Sequence, residues 1–107
     1  MKTNLKFLSL MATLTEEEVS GFWKYLQLHY PNEGNALKVF RYYKRFFPHR
    51  QNPVKMALPF AYRKIYTSET TPGIAEQKKI WNAFSKLYLW LKEYLVLEKM
   101  RSARFVS

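Results

Sequence analysis

The stretch "IWNAFSKLYLWLKEYL", Ile80–Leu95, decides how this sequence folds. At 100° per residue, Ile80, Phe84, Leu87, Leu91 and Tyr94 with Leu95 recur at steps of four, three, four and three, which is one face of a helix. The pattern predicts a helix from about Gly73 to Arg101, about 40 Å long at the usual rise. In the polar turn "TSETTPG" ahead of it, Thr71 is the expected N-cap and Pro72 the first helical residue. A seam of that length has to bury against other elements, which makes this helix the spine of the fold. A second apolar line lies nearly opposite. Leu89, Val96 and Met100 project among Asn82, Ser85, Lys92 and Glu93, with Trp90 and Leu97 beside them. A helix that is apolar on two sides is covered on two sides. The N-terminal residues Leu5, Phe7, Leu8, Leu10 and Met11 offer one cover. A second copy, another protein or chain beyond Ser107 are the others. Leu89, Trp90, Val96, Leu97 and Met100 are therefore the candidate partner-binding residues.

Upstream, "LTEEEV" marks a helix start. Thr15 reads as the N-cap and Glu18 completes a capping box, with Leu14 and Val19 at the staple positions. Val19, Phe22, Trp23, Leu26 and Tyr30 follow at helical spacing. Pro31 ends the run, because a residue before proline avoids the α region. Glu16–Glu18 suit the positive end of the helix dipole, which explains them without catalysis. A short helix over Leu5–Met11 precedes this one.

Asn35 is the expected cap of the next helix, Ala36 to about Phe47, which contains "KVFRYYKRFF". Basic and aromatic residues interleaved in this way are also found where cations meet phosphates and rings stack on bases. On a helix they segregate. Ala36, Phe40, Tyr43 and Phe47 share one face, flanked by Leu37, Val39 and Phe46, while Lys38, Arg41, Lys44 and Arg45 gather on the other. The rings are thus read as core, with Tyr42 near the boundary between the two faces, where either burial or exposure is open to it. After the connector "HRQNP", Asn52 caps a segment with Pro53 at its first position. Pro59 then forces a kink, or two short pieces meeting near Leu58.

Composition narrows the chemistry. The 107 residues are 48% apolar and 18% aromatic, enough for the core of one helical domain over 1–107, or for the front part of a longer protein. Only three glycines are present, which disfavours a turn-rich sheet protein. There is no Cys and no Asp, and the eight acidic residues are all Glu. Disulfides, thiolate metal sites and cysteine nucleophiles are thereby excluded. A carboxylate pair, a Ser-His-acid arrangement or an acidic metal cluster would have to be assembled from the eight Glu with His29 and His49. His29 and His49 have no second ligand at metal spacing. No glycine-rich phosphate loop or nucleophile elbow is legible. The reading is noncatalytic, with no metal and no cofactor. Lys2 and Lys6 precede "FLSLMATL", but that run is short and broken, so no export signal is expected. Lack of disulfides suits a cytoplasmic chain.

The net charge is +10, and from Gly21 to Tyr66 nine Lys/Arg stand against one Glu. Such a field attracts polyanions. Arg41, Lys44, Arg45, His49, Arg50 and Lys55 are the candidate nucleic-acid-binding residues, a ridge that Arg63 and Lys64 would extend. A ridge of this kind binds phosphate without reading sequence.

"LTEEEVSGFWKYLQLHYPNEGNALKVFRYYKRFFP" resembles the N-terminal region of a group of uncharacterised, entirely helical proteins from Bacteroidetes-type bacteria. The resemblance runs through Leu14, Thr15, Glu18, Phe22, Leu26, Tyr30, Asn32, Asn35, Leu37 and Phe40, and resumes at Leu87, Leu91 and Leu95. "LHYPN" stands where that group tends to have "SPYFN". The resemblance implies further helices beyond this chain and carries over no activity.

The expected architecture is an all-α bundle of four or five helices with a long C-terminal helix. The expected function is a noncatalytic protein-interaction module, with nonspecific nucleic-acid binding through the basic ridge as the alternative. A membrane-surface role ranks last, because burial explains the aromatic residues.

Overall fold

The computed structural model describes residues 2–47, 51–67 and 73–106, with side chains described for 6–47, 51–67 and 73–101. Among the described residues six α-helices follow one another, against the four or five expected, because the Pro59 segment counts as two: α1 (Lys2–Met11), α2 (Glu16–His29), α3 (Gly34–Tyr43), α4 (Pro53–Met56), α5 (Leu58–Ile65) and α6 (Ile74–Val106). A 3-10 turn, Lys44–Phe46, extends α3. Among the described residues there is no strand. The expected Thr71–Pro72 cap lies outside the described residues. The molecule's longest dimension is 54 Å, close to the roughly 50 Å that a helix as long as α6 spans.

Local signals set most of these boundaries. Glu18 N–H donates to Thr15 Oγ1 at 3.1 Å, and Thr15 N–H donates to Glu18 Oε1 at 2.8 Å. These are the two bonds of a capping box, worth about 1 kcal/mol. α2 stops at His29, two residues before Pro31. Asn52 Oδ1 accepts from Val54 and Lys55 N–H, each at 3.1 Å, above Pro53 at the start of α4. The chain then breaks at Ala57 (ψ 139°) and α5 begins with Leu58–Pro59, so the Pro59 segment is two short helices.

The break at Ala57 leaves two carbonyls without helical donors. In a continuous helix the carbonyl of Lys55 would receive the N–H of residue 59, which a proline lacks. Tyr42 Oη donates to the Lys55 carbonyl instead, and Tyr43 Oη donates to the Met56 carbonyl, both at 2.7 Å. Two adjacent tyrosines of α3 thus complete the end of α4. This is why Tyr42, expected at the solvent boundary, is 8% exposed. Burial pushes the hydroxyl pKa of both up, Tyr43 the further.

Asn35 departs from its expected role. Glu33 occupies the N-cap position of α3 and makes no side-chain cap. Asn35 lies in the first turn, where its Nδ2 donates to the Lys79 carbonyl at 3.1 Å and its Oδ1 accepts from Tyr66 Oη. It ties α3 to the end of α5 and the start of α6.

The core forms along the seam read from Ile80–Leu95. Ile80, Phe84, Leu87 and Leu91 are at most 1% exposed and Tyr94 is 8%. Phe7 of α1 stacks on Phe84 at 5.2 Å, and Tyr43 meets the same ring edge-on at 5.0 Å. Phe22 of α2 packs edge-on against Phe40 of α3 at 5.1 Å. α2 runs antiparallel to α6: Gly21 faces Tyr94, Tyr30 stacks on Trp90, and Glu33 pairs with Lys86 at 3.3 Å.

Candidate functional site

Two surfaces remain that the core does not use, and they lie on different elements. The first is the second apolar line of α6. Leu89, Val96, Leu97 and Met100 are 53%, 57%, 50% and 55% exposed. α1 does not cover them, because Phe7 and Met11 are buried in the core that Phe84 anchors. Trp90 leaves this group. It follows Leu87 by three and precedes Tyr94 by four, so it turns with the buried seam, and its ring stacks on Tyr30 at 4.0 Å and 15°. At 7% exposure it supports the stripe from beneath.

α2 adds a residue that periodicity did not select. Leu28 is two positions past Leu26, 200° around the helix, and is 75% exposed. Tyr25, Leu89, Lys92, Glu93, Val96 and Leu97 line a shallow depression of about 550 Å3. A second hollow, sharing Tyr25 and Leu97, reaches Leu28. The exposed apolar surface therefore crosses from α6 onto α2.

Glu93 lines the first of these hollows. Its Oε2 accepts from Tyr30 Oη at 2.8 Å and Tyr25 Oη at 3.4 Å. A carboxylate that accepts from a phenol disfavours the phenolate, and this bond is the largest cause of the Tyr30 pKa rising to about 12. Burial is the first cause for Tyr25. The arrangement is a tether between the end of α2 and the middle of α6. The sequence placed Trp90 beside the outer line of α6; its pairing with Tyr30 depends on how the two helices cross.

The second surface is basic. Arg41, Arg45 and Lys55 are exposed and Lys44 is half-buried. The Arg45 guanidinium carbon lies 5.0 Å from the Tyr42 ring centroid, and its Nε donates to the Tyr42 carbonyl at 3.1 Å. Lys44 Nζ sits 5.6 Å above the Trp23 ring. Lys55 is held at the same tyrosine through its own carbonyl. His49 and Arg50 lie outside the described residues. Arg63 and Lys64 are exposed in the last turn of α5, with Lys64 over Phe60. Among the described residues, the ion pairs are Lys86–Glu33 and Arg101–Glu98.

His29 packs its ring against Tyr25 at 4.5 Å. Among the described residues no cluster of three His, Cys, Asp or Glu side chains has metal-binding geometry, and no helix is long and apolar enough to cross a membrane. Comparison with family models, curated proteins and solved structures gives no match for this chain.

Proposed function

We propose that this chain is a noncatalytic helical interaction module whose α6 stripe docks a second copy of itself. The observation that carries the reading is the run Leu89, Val96, Leu97 and Met100, each at least half exposed and continuous with Leu28. Large apolar side chains held together in water mark an interaction surface. The choice of a second copy follows from charge. At a net charge of +10, two copies repel each other over most of their surface. Along Leu89–Met100 the charges are Lys92, Glu93, Glu98 and Lys99, two of each sign. The hollow toward Leu28 adds Lys24 and Arg101, the latter paired with Glu98 at 3.5 Å. The face thus carries a net +2 of the molecule's +10, and approach there costs less than elsewhere. An isologous pairing also lets opposite charges on the two helices meet.

Magnitudes set the expected strength. Completing the burial of a half-exposed large apolar side chain is worth about 1 kcal/mol. Five such residues on each copy give roughly 10 kcal/mol gross, against association costs of about 4–15 kcal/mol. At the lower cost about 6 kcal/mol remains, so the dimer is weak, with a Kd of roughly 40 μM. Sedimentation equilibrium over about 5–500 μM brackets that value and tests it. The wild type should show a monomer–dimer equilibrium, and L89E/V96E should be monomeric with unchanged helicity by circular dichroism. A wild type that stays monomeric throughout, or a double variant that associates equally well, overturns the proposal.

A further inference from the structure

We infer that the face carrying Arg41, Lys44, Arg45 and Lys55 is a binding site for the phosphate backbone of nucleic acid, independent of whether α6 pairs. From Gly34 to Tyr66 the chain holds eight Lys/Arg and no acidic residue. An ordinary solvated helix face intersperses the two signs, as α6 does with Lys92, Glu93, Glu98 and Lys99. Here, none of the four cations makes an ion pair among the described residues.

Two of the cations, Lys44 and Arg45, are also held from below. Arg45 is fixed at its inner end, with Nε on the Tyr42 carbonyl and the guanidinium over the Tyr42 ring. That bond uses one of five N–H donors and leaves the terminal nitrogens to grip phosphate oxygens. Tyr42 is fixed in turn, since its hydroxyl donates to the Lys55 carbonyl. One buried tyrosine thus sets Arg45 on α3's extension beside the backbone that carries Lys55 on α4. Arg41 stands exposed in the last turn of α3, four residues before Arg45 on the 3-10 extension. Lys44 rests on Trp23 and extends the row toward α2.

The same packing tells which part of a nucleic acid is bound. A single-strand platform needs free ring faces for the bases. Here Tyr42 is 8% exposed and lies under Arg45, and Trp23 lies under Lys44. Among the described residues of this face no ring stands free beside the cations, so the site reads charge and phosphate spacing. Duplexes of unrelated sequence are bound equally.

Fluorescence anisotropy with two labelled 20-base-pair DNA duplexes of unrelated sequence tests the inference. Four phosphate contacts give a slope of about −3.6 for log affinity against log salt. R41E/R45E should lower affinity at low salt at least about tenfold and make the slope shallower by about two. K6E/K78E is the control. It lowers the net charge by the same amount, leaves the ridge intact, and should bind nearly as the wild type does. Circular dichroism confirms that both variants are folded. Equal losses in the two variants would mean that net charge and not this ridge does the binding. That outcome overturns the inference, as does no binding at low salt, or binding to phosphatidylserine vesicles without binding to duplex.

Discussion

Gly21 shows how one residue sets the distance between two helices. A β-carbon built there would lie 2.1 Å from the Tyr94 hydroxyl and 3.2 Å from the ring carbon bearing it. The ring cannot swing aside, because Phe22 and Tyr25 pack against it at 5.7 and 5.4 Å. In an isolated helix Gly→Ala is favourable by about 1 kcal/mol. Here overpacking of about 1–3 kcal/mol opposes it, so Gly21→Ala should lower the thermal midpoint. Adding Tyr94→Phe, which removes the nearest atom, should recover part of the loss. A stabilised single variant would show that α2 and α6 approach less closely than described. The sequence gives no hint of this contact, since glycine within a helical run reads only as a weak position. The same holds for Asn35. Its type and place suggest a cap, while its amide in fact joins three elements. A cap is a local hydrogen bond and can be read locally, whereas a bridge between α3, α5 and α6 exists only once they have been brought together.

At the scale of elements, α4 and α5 owe their separation to Pro59 and its stability to Tyr42 and Tyr43. The break was legible, because proline removes one donor and blocks the preceding turn. What replaces that donor was not, because the tyrosines come from another helix. Tyr42→Phe should cost about 1 kcal/mol by removing the hydrogen bond to the Lys55 carbonyl. In Pro59→Ala the residue at 59 regains an N–H, so removing the Tyr42 hydroxyl should cost measurably less. A double-mutant cycle by urea denaturation would give the coupling. Strict additivity would mean that the tyrosine does not substitute for the missing backbone donor. α1 and the second line of α6 make the complementary case. Both were legible as apolar helix faces, but which faces meet was decided by Phe7 reaching Phe84 rather than Leu89.

Over the whole molecule, the tyrosines couple folding to alkaline pH. Tyr25, Tyr30, Tyr42, Tyr43, Tyr66 and Tyr94 all have raised pKa values. A phenol that keeps its proton longer when folded contributes stability that is fully present below the unfolded value near 10. The contribution is lost as pH rises through the folded value, which for Tyr30 means between about 10 and about 12. The thermal midpoint should therefore fall over that window. Y30F/Y43F, although less stable at neutral pH, should fall less steeply. An equal slope in the two proteins would remove these hydroxyls as the cause. Lysines losing charge above pH 10 relieve repulsion and act in the opposite sense, so the comparison between proteins is the informative quantity.

By itself the sequence determined which segments are helical, where α2 and α4 begin, that Pro59 divides a helix, and which face of α6 is core. Each of these rests on interactions within about four residues along the chain, so spacing and residue type are enough to read them. Tertiary structure alone decided that Trp90 turns inward onto Tyr30, that Leu28 extends the uncovered stripe, that Asn35 joins three helices, and that Tyr42 fixes Arg45 beside Lys55. Those outcomes depend on helix crossings, which arise from the shapes of whole faces fitting together and have no signature in any single stretch.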